Sequence, residues 1–171
     1  MKESPGISAA ADLDVDVVLG DGDWEGRVPE AAELCIAAAR ATLLHRACPG
    51  GRVCILLTDD AEMRELNARF RGIDRPTNVL AFPAVETAAH GEQFFLGELA
   101  IGRESVEREA AEADKPFSHH LQHLIVHGIL HLLGYDHVTD ADAEVMERLE
   151  VAILAAFGVD DPYRDGNGDR A

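Results

Sequence analysis

Cysteine, long apolar runs and basic side chains are all scarce in this sequence of 171 residues. The three cysteines, Cys35, Cys48 and Cys54, are odd in number and form no CxxC pair, which argues against a disulfide framework and against cysteine ligands. We expect them to be small buried residues in a reducing compartment. No apolar run approaches the length of a membrane span, and the first residues contain no signal-like apolar segment. We therefore expect a cytoplasmic protein.

The chain has far fewer basic than acidic residues, but one short segment is rich in arginine. The chain has 15 lysines and arginines against 32 acidic residues, which gives a formal net charge of -17 at pH 7. Like charges repel, so this balance argues against non-specific binding to nucleic acid. One short segment nevertheless contains four arginines and only two acids: Arg64, Arg69, Arg71 and Arg75, with Glu65 and Asp74. A basic patch on an acidic body is compatible with a selective site for a polyanion.

The segment HGILHLLGYDH holds three histidines at its first, fifth and eleventh positions. The spacing of four places His127 and His131 on one face of a helix, one turn apart. Gly134 has no Cβ and can adopt the left-handed conformation that ends helices, so the chain can turn back and bring His137 towards the other two. Three imidazoles that converge from a helix and its exit turn predict an open Zn²⁺ site, with the fourth position left for water or substrate.

A core role and a protease site are the two alternatives to this metal site. A histidine on an apolar helix is more often a core residue than a ligand, but several unpartnered imidazoles on a buried helix would be costly, and a shared metal satisfies them together. The same spacing occurs in the metzincin protease pattern H-E-x-x-H-x-x-G-x-x-H. Here Gly128 stands where the protease has its glutamate general base. The motif therefore indicates a protease-like metal cage with a different chemistry.

The apolar periodicity and the turn residues predict an α+β fold. We expect a single compact domain with a small mixed four-stranded sheet packed by about five helices, because strands and helices intermix without strict βαβ alternation. The domain is predicted to span residues 12–160, between a flexible tail at 1–11 and a flexible acidic tail at 161–171. Strands are predicted over 13–18, 53–57, 78–82 and 95–101, helices over 29–47, 60–70, 103–113, 118–133 and 139–157, and loops over 21–26 and 84–94.

Three further residues are candidates for the site. His123 lies one turn before His127. It could contact one of the metal-binding imidazoles or the substrate, or it could be an ordinary surface or core histidine. Asp136 could orient a ligating imidazole or serve only as a polar turn residue. Arg71 leads the segment RGIDRPT after a predicted helix. A guanidinium there could hold a phosphate by two parallel hydrogen bonds, although composition alone favours a solvated arginine.

Several segments together resemble the YbeY family of bacterial rRNA-maturation endoribonucleases. HGILHLLGYDH is similar to the signature of that family, and LNARFRGIDRPTNVLAFP at 66–83 is followed by FLGELAIG at 95–102 in the same order. The segment FGVDDPY at 157–163 is a third match. Two positions depart from the family pattern: Ala81 stands where a serine is usual, and Glu98 where an aspartate is usual.

The resemblance implies a compact α+β fold and a metal-dependent endoribonuclease that prefers single strands. It implies one Zn²⁺ per chain, held by His127, His131 and His137, with Arg71 facing the metal cleft. The implied role is maturation near the 3′ end of small-subunit rRNA, together with quality control of ribosomes. The implied partners are single-stranded RNA and rRNA, and a ribosome or ribosomal protein; we expect neither DNA nor a membrane to be a partner.

The mechanism and two competing functions stay open at this point. Zn²⁺ would polarise a phosphoryl oxygen or supply a hydroxide, and Arg71 would hold the scissile phosphate. The absent glutamate leaves the general base open between that hydroxide, Asp136 and a group of the substrate. One competing function is a non-catalytic ribosome-assembly factor, although structural zinc sites usually close with four protein ligands. The other is a peptide-directed metallohydrolase, which Gly128 disfavours.

Overall fold

The computed structural model describes residues 13–84 and 95–164. The predicted tail at 1–11 lies outside these residues, as do positions 85–94 of the predicted loop and positions 165–171 of the predicted acidic tail. In chain order, the elements are β1 (Leu13–Leu19), α1 (Trp24–Arg27), α2 (Ala31–His45), β2 (Gly51–Thr58), α3 (Asp60–Arg71), β3 (Val79–Pro83), β4 (Phe95–Gly102), α4 (Arg103–Glu112), α5 (Phe117–Leu132) and α6 (Asp140–Ala155).

The four strands form one mixed sheet in the order β1-β2-β4-β3. β1, β2 and β4 are parallel, and Ile55 of β2 lies opposite both Val17 and Leu99 in the neighbouring strands. β3 at the edge is antiparallel to β4, with Val79 opposite Ile101. This sheet, with helices packed on it, confirms the predicted α+β fold.

The two faces of the sheet are buried in two separate cores, because successive side chains of a strand point to opposite sides. The larger core contains Ile55 and Leu99 and is filled by α2, α5 and α6. The smaller core consists of Met63 from α3 packed against Leu80 and Ala100. α5 therefore lies against one face of the sheet and α3 against the other.

The segment DGDWEG contains a helical turn that the sequence pattern did not predict. α1 covers Trp24–Arg27, so the described residues contain six helices where about five were expected. The Trp24 side chain is 1% exposed, and its indole Nε1 donates a hydrogen bond of 2.9 Å to the backbone oxygen of Thr58. Burial of the indole and this long-range bond form the turn, and neither follows from local turn propensity.

The predicted ends of two helices are confirmed by their caps. The Asp59 side chain accepts a hydrogen bond of 2.9 Å from the Glu62 backbone N–H at the start of α3. Gly72, with a φ of +72°, ends the same helix directly after Arg71. At the start of α6, Thr139 accepts a hydrogen bond of 3.1 Å from the Asp142 backbone N–H.

The three cysteines are free thiols, as the sequence predicts. Cys35 is buried in α2, and this burial raises the pKa of its thiol to about 12. Cys48 and Cys54 are only half-buried, so the prediction of burial is correct for Cys35 alone. Cys54 alternates with Val53 and Ile55 and therefore points away from the larger core. None of the helices in the described ranges is long and apolar enough to cross a membrane.

Candidate metal centre

α5 presents His127 and His131 one turn apart, as their spacing predicts. Their Nε2 atoms lie 3.0 Å apart and their ring centroids 4.5 Å apart. Between them, Gly128, Ile129 and Leu130 are buried, whereas both histidines keep part of their surface accessible. The apolar packing fixes the helix, and the two imidazoles project from its half-buried edge.

The turn after α5 brings His137 to the same place. Gly134 has a φ of +100°, and its N–H donates to the His131 carbonyl while the Tyr135 N–H donates to the Leu130 carbonyl. This pair of bonds is a Schellman motif, which requires the left-handed residue that Gly134 provides. The His137 ring centroid lies 5.7 Å from that of His127 and 5.1 Å from that of His131.

The exit turn is also held from the side by α2. Arg46, which follows the last residue of α2, donates a hydrogen bond of 2.9 Å from Nε to the Tyr135 hydroxyl. The same guanidinium lies 5.5 Å from the centroid of the Tyr135 ring. This contact joins residues 89 positions apart in the chain. It restrains the turn that carries His137, a residue whose own side chain is exposed.

Glu150 of α6 is a buried carboxylate in contact with the histidines of α5. The sequence pattern alone did not identify it. Its side chain is 1% exposed, and Oε1 lies 2.5 Å from His127 Nδ1. Oε2 accepts a short hydrogen bond from the Tyr163 hydroxyl and lies 3.3 Å from His123 Nε2. A buried carboxylate thus connects one candidate ligand to a second histidine and to a tyrosine.

The charge states of this network follow from its surroundings. Burial favours the neutral form of Glu150, but hydrogen bonds from His123 and His127 outweigh that effect and lower its carboxyl pKa to about 2. Burial and the Glu150 carboxylate raise the pKa of the Tyr163 hydroxyl above its usual range, so it stays a donor. Burial, with the neighbouring His127 and His137, lowers the pKa of His131 to about 4. Glu150 is therefore ionised and His131 neutral at physiological pH.

The donor set fits a zinc ion in chemistry and in ring spacing. Imidazoles bound to a tetrahedral zinc at a Zn–N distance of about 2.0–2.1 Å have ring centroids roughly 5 Å apart. The three observed separations, 4.5, 5.1 and 5.7 Å, lie around this value. His127 bonds to Glu150, and zinc-bound histidines are held by outer partners of this kind.

The three imidazoles lie close together, but their ring nitrogens do not yet surround a single point as metal ligands do. Among residues 13–84 and 95–164, no group of three or more His, Cys, Asp or Glu side chains has the arrangement of a metal-binding set. The Nε2 atoms of His127 and His131, 3.0 Å apart, are closer than the separation of roughly 3.3 Å that tetrahedral coordination implies. Closure around an ion therefore requires side-chain rotations at the site.

Gly128 shows why the protease glutamate has no place here. The residue is buried against β4, and a Cβ added to it would lie 2.8 Å from Cδ2 of Leu99. A methyl group could displace the flexible end of that leucine, but a glutamate side chain would carry a carboxylate into the larger core. The position after the first histidine faces the sheet and not the imidazoles. This packing argues against peptide hydrolysis by the HExxH mechanism.

Two residues that the sequence marked as candidates occupy different positions around the cluster. His123 contacts Glu150 and Tyr163, at 3.3 Å in each case, so it joins the network below the imidazoles. Asp136 is exposed, and its Oδ1 accepts a hydrogen bond of 3.2 Å from the Val138 backbone N–H. Asp136 thus serves the turn, and Glu150 is the carboxylate that holds an imidazole.

Arg71 lies at the exposed end of α3. In the part of the chain that the structure describes, its guanidinium has no ion pair or hydrogen bond. Phe70 beside it packs edge-on against Phe82 of β3 at a centroid distance of 5.1 Å. Gly97 of β4 pairs with β3. On the other face of the sheet, a Cβ added to Gly97 would lie 2.7 Å from Cδ2 of Leu132 in α5. The C-terminal ends of α3 and α5 therefore meet the β3 edge from opposite faces, and no contact joins Arg71 to the imidazoles.

A signal for Glu150 was present in the sequence. Ala143, Met146, Ile153 and Leu154 form the buried stripe of α6, and Glu150 falls within that stripe at helical spacing. A lone carboxylate at a core position of an amphipathic helix needs a partner, because an unpaired buried charge is costly. The helical period therefore marks Glu150 as a site candidate, but it does not identify the histidine that it meets.

The chain is similar to proteins of a single family along most of its length. The family model described as Endoribonuclease YbeY matches residues 25–158. A relative named Endoribonuclease YbeY from Azorhizobium caulinodans is 49% identical over 154 residues, which cover 88% of this chain and 96% of the relative. A relative of the same name from Chelativorans sp. (strain BNC1) is 46% identical, with coverage of 95% and 99%. The matched range contains the three histidines, Glu150 and Arg71.

A solved structure shares the architecture. The solution structure of TM1509 from Thermotoga maritima has a TM-score of 0.52 and 26% sequence identity to this chain. The alignment covers 92% of this chain and 99% of TM1509. The similarity therefore extends over the whole domain and is not confined to the histidine motif.

Proposed function

Because this chain belongs to the YbeY family of endoribonucleases, and is thus a hydrolase that acts on RNA phosphodiester bonds, we propose that it is a zinc-dependent enzyme selective for single strands. The ligands of the one zinc ion would be His127, His131 and His137. The observation that carries this proposal is the contact of 2.5 Å between His127 Nδ1 and the buried Glu150 carboxylate. A charged carboxylate buried beneath an imidazole supports a ligand role for that imidazole.

The network prepares the imidazoles as ligands. Because Glu150 is ionised, His127 donates its Nδ1–H to Oε1, which leaves the lone pair on Nε2 directed to the cluster. Tyr163 donates to the other carboxylate oxygen, so Glu150 remains charged and fixed. The lowered pKa of His131 keeps that imidazole neutral. Zinc, when bound, supplies a Lewis acid that stabilises charge on a phosphoryl oxygen.

Arg71 is the residue that we propose to bind the scissile phosphate. It is exposed, has no ion pair among the described residues, and lies at the end of α3, next to the β3 edge. A guanidinium binds two phosphate oxygens at once and can stabilise the charge that develops during cleavage. The phosphate would therefore be bound at the end of α3, beside the β3 edge that α5 meets from the other face.

The biological setting of the proposal is ribosome maturation in the cytoplasm. The substrate would be single-stranded rRNA near the 3′ end of the small subunit, and the same activity would serve ribosome quality control. The net charge of -17 supports delivery by a partner, because an acidic surface does not concentrate RNA by itself. A ribosomal protein with a basic surface would meet this need.

Removal and return of zinc test the proposal. We expect purified protein to contain about one zinc per chain, and to cut a single-stranded RNA while leaving the matching duplex intact. Chelation followed by gel filtration should abolish cleavage, and one equivalent of zinc should restore it. Metal content is measured by atomic emission and cleavage by denaturing gel. Zinc-loaded protein that leaves the RNA intact would favour the assembly-factor function instead.

Arg71→Ala should lower the cleavage rate by roughly 100-fold, the effect of removing one donor to a developing negative charge. Zinc content should stay at the wild-type value, because no contact joins Arg71 to the imidazoles. Arg71→Lys should recover little, since an ammonium group lacks the planar fork. Arg64→Ala is the matched control: its guanidinium is on the same helix and exposed, but it is bound 2.8 Å from Asp74. An unchanged rate in Arg71→Ala, or loss of zinc from it, would remove the proposed role.

A further inference from the structure

A large aromatic side chain is exposed next to the candidate phosphate site. Phe70 is 57% exposed and precedes Arg71 in the last turn of α3. Its ring is positioned by Phe82, with centroids 5.1 Å apart and the planes inclined at 62°. The Arg69 guanidinium lies over the Phe70 ring, with its central carbon 5.4 Å from the ring centroid. The ring is thus oriented by protein contacts while more than half of the side chain stays accessible.

Exposure by itself does not mark a functional residue, since single apolar side chains are common on protein surfaces. Leu44 of α2 and Val145 of α6 are each 50% exposed and have no comparable setting. Phe70 differs because its immediate neighbours in sequence, Arg69 and Arg71, are both exposed cations. An oriented ring flanked by two guanidinium groups is suited to a ligand that carries both a flat apolar face and negative charge.

The charge around Phe70 opposes that of the molecule as a whole. Of the four arginines in this segment, Arg64 is neutralised by Asp74 at 2.8 Å. Among the residues described by the structure, the other three form no ion pair: Arg69, Arg71 and Arg75. On a chain of net charge -17, this end of α3 is a local site for an anion.

We propose that Phe70 is a stacking platform for one unpaired base of the RNA substrate, with Arg69 and Arg71 binding the phosphates beside that base. The inference rests on the proposed function and adds to it the residue that recognises a base. Single-stranded nucleic acids are bound by basic surfaces with aromatic rings on which bases stack, and stacking tolerates any base. A base in a duplex has both faces covered by its neighbours. The platform would therefore contribute directly to selectivity for single strands.

The test uses the zinc-loaded full chain and a short single-stranded RNA in which one nucleotide at a time is made abasic. For the wild type, one abasic position should raise KM by roughly 5- to 150-fold, the range expected for loss of one base–aromatic stack. Phe70→Ala should show that higher KM with the intact RNA, and the same abasic position should then have no further effect. Phe70→Trp should behave like the wild type, because it keeps a stacking face. kcat should change little if stacking acts equally on bound substrate and transition state.

Leu44→Ala is the matched control, since it removes an equally exposed apolar side chain from α2. It should leave KM and the abasic profile unchanged. If the wild type cuts RNA but Phe70→Ala has the wild-type KM and abasic profile, the platform is excluded while the endoribonuclease stands. If zinc-loaded wild type neither binds nor cuts the RNA, the proposed function and the platform both fail.

Discussion

His131→Ala is expected to abolish stoichiometric zinc binding and to lower cleavage of single-stranded RNA by roughly 1000-fold or more. This factor follows because Lewis-acid stabilisation is worth several kcal/mol and each 1.36 kcal/mol changes a rate tenfold. His131 is half-buried in the last turn of α5, and the neighbour of its Nε2 is the Nε2 of His127 at 3.0 Å. Its removal leaves the Glu150–His127 contact in place.

The matched control is His45→Ala, which removes an exposed histidine from the last turn of α2. Both variants lose one imidazole from the end of a helix, but only His131 faces the other two rings. Zinc per chain, thermal unfolding of the metal-free protein and cleavage should all be measured on the same preparations. Retained cleavage in a zinc-free His131→Ala sample would reveal a contaminating nuclease. Retained zinc with lost cleavage would show that His131 is not a zinc ligand and that it acts on the substrate.

The histidine motif was predictable because its geometry is local. His127 and His131 are related by one helical turn, and Gly134 supplies the left-handed residue that a Schellman turn requires. The arrangement of the three rings then follows within eleven residues of chain. The spacing cannot show how near the ring nitrogens come to one another. In the structure, the Nε2 atoms of His127 and His131 are 3.0 Å apart, which is closer than tetrahedral coordination of one ion implies.

The support beneath the motif was not predictable in the same way, because it depends on tertiary contacts. Glu150 is 23 residues beyond His127, and Tyr163 is a further 13. Helical periodicity places Glu150 on the buried side of α6, yet only the packing of α6 against α5 decides which imidazole it meets. The same limit explains α1: the bond from Trp24 to Thr58 spans 34 residues, and a local propensity argument assigns that segment to a turn. Local pattern therefore predicts the candidate ligands, and tertiary packing determines how they are held.

Glu150→Gln should weaken zinc binding by roughly 10- to 100-fold, the usual consequence of changing the group that holds a metal-bound histidine. A glutamine oxygen can still accept the His127 Nδ1–H, so the hydrogen bond survives while the negative charge is lost. The free energy of unfolding of the metal-free protein should therefore change much less than the affinity for zinc. Affinity is measured by competition with a chromophoric chelator, and stability by urea unfolding after chelation.

Glu150→Ala separates support of the ligand from support of the fold. This change leaves the Nδ1–H of His127 and the hydroxyl of Tyr163 without their acceptor in a site where the glutamate is 1% exposed. We expect a loss of about 3–5 kcal/mol in the free energy of unfolding, as when one partner of a buried charged network is removed. Glu144→Gln is the control, because it makes the same chemical change as Glu150→Gln at an exposed position of the same helix and should shift stability by no more than about 0.5 kcal/mol.

The contrast between the two Glu150 variants decides what the carboxylate does. If it only fills and satisfies the core, zinc affinity in Glu150→Gln will match the wild type once the protein is folded. If it sets the proton on His127 Nδ1 and adds charge behind the ligand, affinity will fall while the fold remains stable. The geometry favours the second outcome, because Oε1 lies 2.5 Å from His127 Nδ1 and an ionised carboxylate at that distance fixes the tautomer that leaves Nε2 free to bind metal.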